Sequence, residues 1–133
     1  MREVCEFLKK CQTYYLATVE GDQPRVRPFG TAEIFEGRLY MQTERNKAVS
    51  KQMKSNPKVE ICAYDDASQS WLRIAATAID DSRREVRAHM LGAYPALRDM
   101  GYSEDDDKTQ TLYLKEATAT FYSFDGASRT VRF

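Results

Sequence analysis

The chain has 133 residues, the length of one domain, so we treat residues 1–133 as a single folded unit with room for a substantial core. Hydrophobic residues make up 42% and charged residues 30% of the sequence, which is typical of globular proteins and excludes a disordered or fibrous chain. The formal net charge is zero, which excludes strong attraction of the whole molecule to nucleic acid or to an anionic membrane.

The sequence lacks the features that are typical of secreted, membrane-spanning and zinc-binding proteins. Residues 1–11 alternate charged and apolar side chains, unlike a signal peptide, and no segment approaches the roughly 20 apolar residues of a membrane span. The three cysteines include no C-x-x-C pair and predict reduced thiols in the cytoplasm. His89 is the only histidine, so the sequence offers no zinc-binding cluster and at most one base for a catalytic triad. We therefore expect any chemistry to belong to a bound cofactor.

The first part of the chain is predicted to form a helix, three strands and a second helix. Val4, Phe7 and Leu8 recur at helical spacing and predict an amphipathic helix over residues 3–10. The predicted strands, separated by turns that contain glycine, cover residues 14–20, 25–35 and 38–43. The second helix covers residues 46–55 and ends before Pro57, because proline disfavours helical geometry in the residue before it.

The second part of the chain is mostly strands. They are predicted over residues 59–64, 71–79, 111–114 and 118–124 and around Val131. A helix is predicted over 82–91, with a further turn at 95–100 and a polar loop at 101–108. Six or more short strands with few helices predict a mainly β fold with peripheral helices, an antiparallel closed or split barrel. Neither G-x-x-x-x-G-K nor G-x-G-x-x-G occurs, so both common phosphate loops are absent.

The segment PRVRPFG at residues 24–30 is the first candidate for a ligand site. Strand alternation places Arg25, Arg27 and Phe29 on one face. Pro28 cannot donate to a strand ladder, which predicts an edge or a bulge where a ligand can approach the backbone. The alternative is two solvated arginines beside an edge proline.

The second candidate is the junction of strand and helix at residues 40–47. A helix N-terminus has unpaired N–H groups and a partial positive charge, which suit a phosphate, and Thr43 and Lys47 could add a hydroxyl and a charge. Lys47, Lys51 and Lys54 share one helical stripe. For Lys54 we accept an ordinary solvated position, and for Lys51 both interpretations stay open. Trp71, the only tryptophan, either stacks on a flat ring system or fills the core.

Taken in order, these pieces resemble a known family, the FMN-binding split barrels of the pyridoxamine 5′-phosphate oxidase-like group. The resemblance covers nearly the whole chain and rests on order and spacing more than on any single motif. It is carried by YLAT at 15–18, PRVRPFG at 24–30, LYMQT at 39–43, Lys47, NPKV at 56–59 and WLRI at 71–74.

The resemblance implies FMN bound at the interface of a homodimer. Matching positions imply that Arg27, Thr43 and Lys47 hold the phosphate, and Lys51 is kept as a further candidate. The backbone around Pro28 and Phe29 and the side chain of Gln42 would line the isoalloxazine ring, with Trp71 supplied by the neighbouring subunit. A dianionic phosphate needs such charge-assisted donors, and the flavin would carry the redox step.

The resemblance further implies an FMN-dependent oxidoreductase that acts on a small molecule. Residues 123–133 do not resemble the tail with which true pyridoxamine-phosphate oxidases grip their substrate, so we expect a different substrate. The closer likeness is to small members grouped with nitroimidazole-resistance reductases and general stress proteins. Two alternatives remain, a flavin-binding protein without catalysis and a barrel that binds haem, for which His89 is the only histidine.

Overall fold

A computed structural model describes residues 1–133, which form eight strands and four helices. The strands are β1 (Tyr14–Glu20), β2 (Gln23–Phe29), β3 (Glu33–Phe35), β4 (Arg38–Glu44), β5 (Lys58–Asp65), β6 (Ser70–Asp80), β7 (Thr109–Ser123) and β8 (Ser128–Arg132). The helices are α1 (Arg2–Cys11), α2 (Ala48–Ser55), α3 (Arg84–Ala93) and α4 (Ala96–Asp99). None of these helices is long and apolar enough to cross a membrane.

All strands belong to one antiparallel sheet. Its order is β2-β1-β5-β6-β7-β4-β3, and β8 pairs with β7 outside this path. The two edge strands, β2 and β3, do not pair with each other, so the sheet stays open. This arrangement confirms the predicted mainly β, antiparallel split-barrel fold with helices around it, and it places the proline-containing strand β2 at an edge as expected.

Three predicted element boundaries were wrong. The strand expected over residues 25–35 is interrupted, because residues 30–32 pair with no strand and are held by side chains instead. The two strands expected over 111–114 and 118–124 are one strand, β7, which contains a β-bulge where Glu116 has φ 53°. Helix α2 begins at Ala48, two residues later than expected, since Lys47 keeps an extended backbone.

The core lies on one side of the sheet, where α1 and α2 cover alternate strand residues. Val4 and Leu8 of α1 and Met53 of α2 are buried in this core, together with inward side chains of the strands such as Ile61 and Ile74. A second, smaller cluster forms where α3 packs on β4. The period-2 burial of β5, with every second residue buried, leaves its other side chains on an outward face of the sheet.

An ionic contact at the surface, anchored to a buried tyrosine, fixes the start of α3 against β4. The hydroxyl of Tyr40, which is fully buried, donates to Asp81 Oδ2 at 2.7 Å. The Arg83 guanidinium donates to both carboxylate oxygens of Asp81 and to Glu36. The hydrogen bonds from Arg83 lower the pKa of the Asp81 carboxyl from 3.8 to about 2, against the opposing effect of burial.

We predict that Asp81→Asn lowers the free energy of unfolding at pH 7 by about 1 kcal/mol, because the variant loses the ionic part of this contact. The pKa of the Asp81 carboxyl is lower in the folded protein than its ordinary value of 3.8, so the ionised carboxylate stabilises the fold fully at pH values above 3.8. This stabilisation is lost as the pH falls to about 2. In urea unfolding between pH 7 and pH 2.5, the difference in the free energy of unfolding between the variant and the original protein should become smaller as the pH falls. A difference that stays constant over this range would contradict the assignment; Asp99→Asn on exposed α4 is the control.

Candidate functional site

A cavity of about 480 Å³ lies where the ends of β2 and β4, the start of α2 and the chain from α3 to α4 meet. Four strands separate β2 from β4 in the sheet order, so the sheet curls to bring their ends to one cavity. Pro28 and Phe29 come from β2, and Gln42 and Thr43 from β4. The opposite side is lined by residues between positions 93 and 102, which we call the α4 wall.

Gln42 is the clearest sign that this cavity suits a polar ligand group. The residue is only 8% exposed, and its buried Oε1 atom has no hydrogen-bond partner in the protein. Its backbone N–H donates to Thr31 Oγ1 at 2.9 Å, which fixes the position of the residue. An unpaired buried carbonyl oxygen is costly, so the site is suited to a ligand that donates an N–H or O–H group.

Lys47 gives the cavity a positive charge. It is the only charged residue among the 14 that line the cavity, and it occupies the N-cap position of α2. No side chain caps this helix, and its N-terminus follows directly on Lys47, which lines one end of the cavity. A phosphate or another anion fits this end.

Arg27 lies just behind the cavity rather than on its wall. Its guanidinium donates to the Leu16 carbonyl oxygen at 3.2 Å, to Thr18 Oγ1 at 2.8 Å and to Gln52 Oε1. Burial lowers the pKa of Arg27, with a smaller effect from the nearby charge of Arg25. Arg27 therefore joins β1, β2 and α2 immediately before Pro28, which does line the cavity.

Two other predicted residues also lie outside the cavity lining. Lys51 is exposed and lines a separate depression of about 370 Å³ together with Glu20. Trp71 lies at the start of β6, with its ring centroid 5.3 Å from that of Tyr122 and 5.0 Å from that of Phe124. The other five predicted residues line the cavity together: Pro28, Phe29, Gln42, Thr43 and Lys47.

Sequence reasoning missed the α4 wall. It predicted only one further helical turn at residues 95–100, although Leu97 and Met100 are apolar residues among polar neighbours and Tyr94 precedes a proline. The Tyr94 hydroxyl accepts a hydrogen bond from the Ala32 N–H and donates one to the Ala32 carbonyl oxygen, both at 2.9 Å. Burial raises the pKa of this phenol. Tyr94 thus replaces the missing strand partner of residues 30–32 and ties the α4 wall to the opposite side of the cavity.

An apolar surface on the outward face of the sheet extends to the edge of the cavity. Tyr15, Val26, Tyr64 and Phe124 are exposed there, Phe124 by 70%, and Trp71 is half-buried. Strand pairing connects them, since Tyr15 lies opposite the cavity residue Pro28, and Tyr64 lies opposite Trp71. Exposed apolar surface of this kind marks interaction sites. We call this surface the outward patch.

Comparisons with known proteins agree with this fold. The sequence profile of the family described as "Pyridoxamine 5'-phosphate oxidase" matches residues 1–118. The crystal structure of a nimC/nimA family protein from Clostridium acetobutylicum is 44% identical in sequence with a TM-score of 0.95, and the alignment covers 100% of this chain and 92% of that one. No curated protein gives a significant match.

More distant structures share the fold. A pyridoxamine 5′-phosphate oxidase-related, FMN binding protein from Nostoc punctiforme is 16% identical with a TM-score of 0.63, and the alignment covers 97% of this chain and 90% of that one. A heme binding protein from Mycobacterium smegmatis is 14% identical with a TM-score of 0.70, covering 94% of this chain and 57% of that one. At these identities the likeness concerns the fold alone.

We predict that Tyr94→Phe lowers the free energy of unfolding by about 1–2 kcal/mol, because the Ala32 N–H and carbonyl oxygen both lose their partner. Urea unfolding measures this loss. Tyr102→Phe is the matched control, since that hydroxyl makes only a long contact of 3.4 Å with Glu44. Equal effects of the two changes would mean that the contact with Ala32 does not hold the wall.

Proposed function

The chain belongs to the pyridoxamine 5′-phosphate oxidase family, as its sequence resemblance implied, and from this premise we propose that its cavity binds FMN and that the protein is an oxidoreductase of a small molecule. The observation that carries the proposal is the unpartnered, buried Oε1 of Gln42 in the same cavity as the cationic start of α2. FMN has both groups that such a cavity needs, a ring N–H donor and a dianionic phosphate.

The end of the cavity at α2 is assigned to the phosphate. Lys47 supplies the charge, the first N–H groups of α2 supply the helix dipole, and Thr43 adds a hydroxyl. Arg27 adds positive potential from behind Pro28, and its guanidinium could turn from Gln52 towards an anion. Lys51, which faces a separate depression, is the weakest of these candidates.

The end of the cavity at β2 and β4 is assigned to the flavin ring. Pro28 and Phe29 would offer it backbone and apolar surface, and the unpartnered Oε1 of Gln42 would accept a hydrogen bond from a ring N–H. A volume of about 480 Å³ lies within the usual range for small-molecule sites. When bound, the flavin supplies hydride or electron transfer, which agrees with the absence of a catalytic triad from the sequence.

A homodimer completes the proposed site. The outward patch reaches the cavity at Pro28, so a second copy bound to this patch would cover the open side of the cavity. Trp71 lies in the outward patch, away from its own cavity, and would approach a flavin only in the site of a second copy. Packing of aromatic side chains between copies would stabilise this interface.

A haem-binding function, the alternative raised by the fold, has less support from the site. No histidine lines the cavity, and the His89 ring is stacked on Phe35, with the ring centroids 4.4 Å apart. A visible spectrum of the purified protein and mass identification of any released small molecule separate flavin from haem. If the flavin-loaded protein reduces no electron acceptor faster than free FMN does, the non-catalytic alternative is supported.

We predict that Lys47→Ala and Arg27→Ala each weaken FMN binding by roughly 1.5–3 kcal/mol, the usual value of a hydrogen bond to a charged group. Equilibrium dialysis of FMN against the protein measures the affinity. Lys54→Ala, which removes an exposed lysine of the last turn of α2, should change it little. Unchanged affinity in both variants would place the phosphate elsewhere.

We also predict that the double variant Tyr64→Lys, Phe124→Lys is a monomer and binds FMN less tightly, because two buried charges would oppose association of the outward patches. Light scattering after gel filtration measures the mass. Glu6→Lys changes the net charge by the same amount on exposed α1, which covers the opposite side of the sheet, and should remain dimeric. If the double variant stays dimeric, the outward patch is not the dimer interface.

A further inference from the structure

The α4 wall is the part of the cavity that the proposed FMN contacts leave free. It presents Tyr94, Pro95, Leu97, Met100 and Tyr102 to the cavity, and none of these side chains carries a charge. The Tyr94 hydroxyl is already engaged twice by Ala32, so its aromatic ring is the part that faces a ligand. Met100 is 67% exposed, which leaves apolar surface open for a molecule to cover.

The positive charges around this wall lie outside the lining of the main cavity. A smaller cavity of about 320 Å³, which shares Gly30, Ala93 and Tyr94 with the main one, contains Lys9. However, the Lys9 ammonium is paired with Glu33 at 2.7 Å, and this hydrogen bond raises the pKa of Lys9.

Two further cations lie near the outer end of the wall. Arg98 of α4 is paired with Glu104 at 2.6 Å. The Lys108 ammonium lies over the ring of Tyr102, 5.1 Å from its centroid, and the Tyr102 hydroxyl faces the carboxylate of Glu44. Lys47 is the only cation that lines the cavity, so the α4 wall itself presents no cation to a second anion.

From this arrangement we infer that the α4 wall binds an uncharged, largely apolar substrate beside the flavin and rejects phosphorylated or carboxylated molecules of the same size, with Leu97 and Met100 setting the preference. The inference rests on the proposed function, because there the FMN phosphate would take up Lys47, the only cation that lines the cavity. An anion at the wall would lose water and gain no charged partner, whereas an apolar molecule gains by covering Leu97 and Met100.

The test uses the FMN-loaded protein and two unreactive probes of equal size, 2-naphthamide and 2-naphthoate, at pH 7. Binding is measured at equilibrium from the change in the visible absorption band of the flavin, so no turnover is needed. We expect the amide to bind about tenfold more tightly than the carboxylate. A carboxylate that leaves water without gaining a charged partner loses solvation free energy equivalent to at least one hydrogen bond.

The variants Leu97→Lys and Met100→Lys should each reverse or abolish this preference by giving the carboxylate a partner. Leu97 is only half-buried and Met100 is exposed, so both variants should fold. Leu97→Gln, which adds polarity without charge, and Gln23→Lys, which adds the charge about 20 Å away along β2, should keep the preference.

The outcomes separate the two proposals. Protein that binds FMN but takes amide and carboxylate equally, or prefers the carboxylate, overturns the inference and leaves the proposed function standing. An amide preference that survives both lysine variants overturns the assignment to the α4 wall. Protein that binds no FMN at saturating concentration overturns the proposed function, and the inference with it.

Discussion

The site depends on a break in the sheet at residues 30–32. These residues pair with no strand, and side chains hold their backbone instead: the Tyr14 hydroxyl donates to Thr31 at 2.6 Å, and Tyr94 contacts both polar backbone groups of Ala32. Thr31 in turn accepts from the backbone of Gln42. A continuous strand would satisfy these groups with a neighbouring strand and leave no opening, so this set of side-chain contacts makes a cavity possible between β2 and β4.

The same break explains the division of the cavity into two chemical halves. At one end, β4 leads directly into α2, and this junction concentrates positive charge around Lys47. At the other end, the hydrogen bond from Tyr94 to Ala32 holds the chain after α3 against the break, and this contact places apolar side chains beside the cavity. A cationic end beside an apolar surface would suit the proposed cofactor with its phosphate tail and a substrate without one.

Much of the fold followed from local patterns, whereas the site depended on contacts between distant residues. Helix α1 and the edge position of Pro28 follow from residue spacing and from the missing proline N–H, which act within a few residues. Tyr94 contacts Ala32 across 62 positions, and Arg27 contacts Gln52 across 25, and no local pattern contains such pairs. For this reason the resemblance located five cavity residues, but the α4 wall and the partners of Arg27 became visible only in three dimensions.

The position of the single tryptophan has a practical consequence. In most proteins tryptophan lies mainly in the core, but here Trp71 lies in the outward patch, stacked on Tyr122. Because Trp71 is half-buried at that surface, we expect its emission to respond to changes in solvent exposure there. If two copies associate through the outward patch as proposed, dilution would change this emission, and the association could be followed without any attached dye.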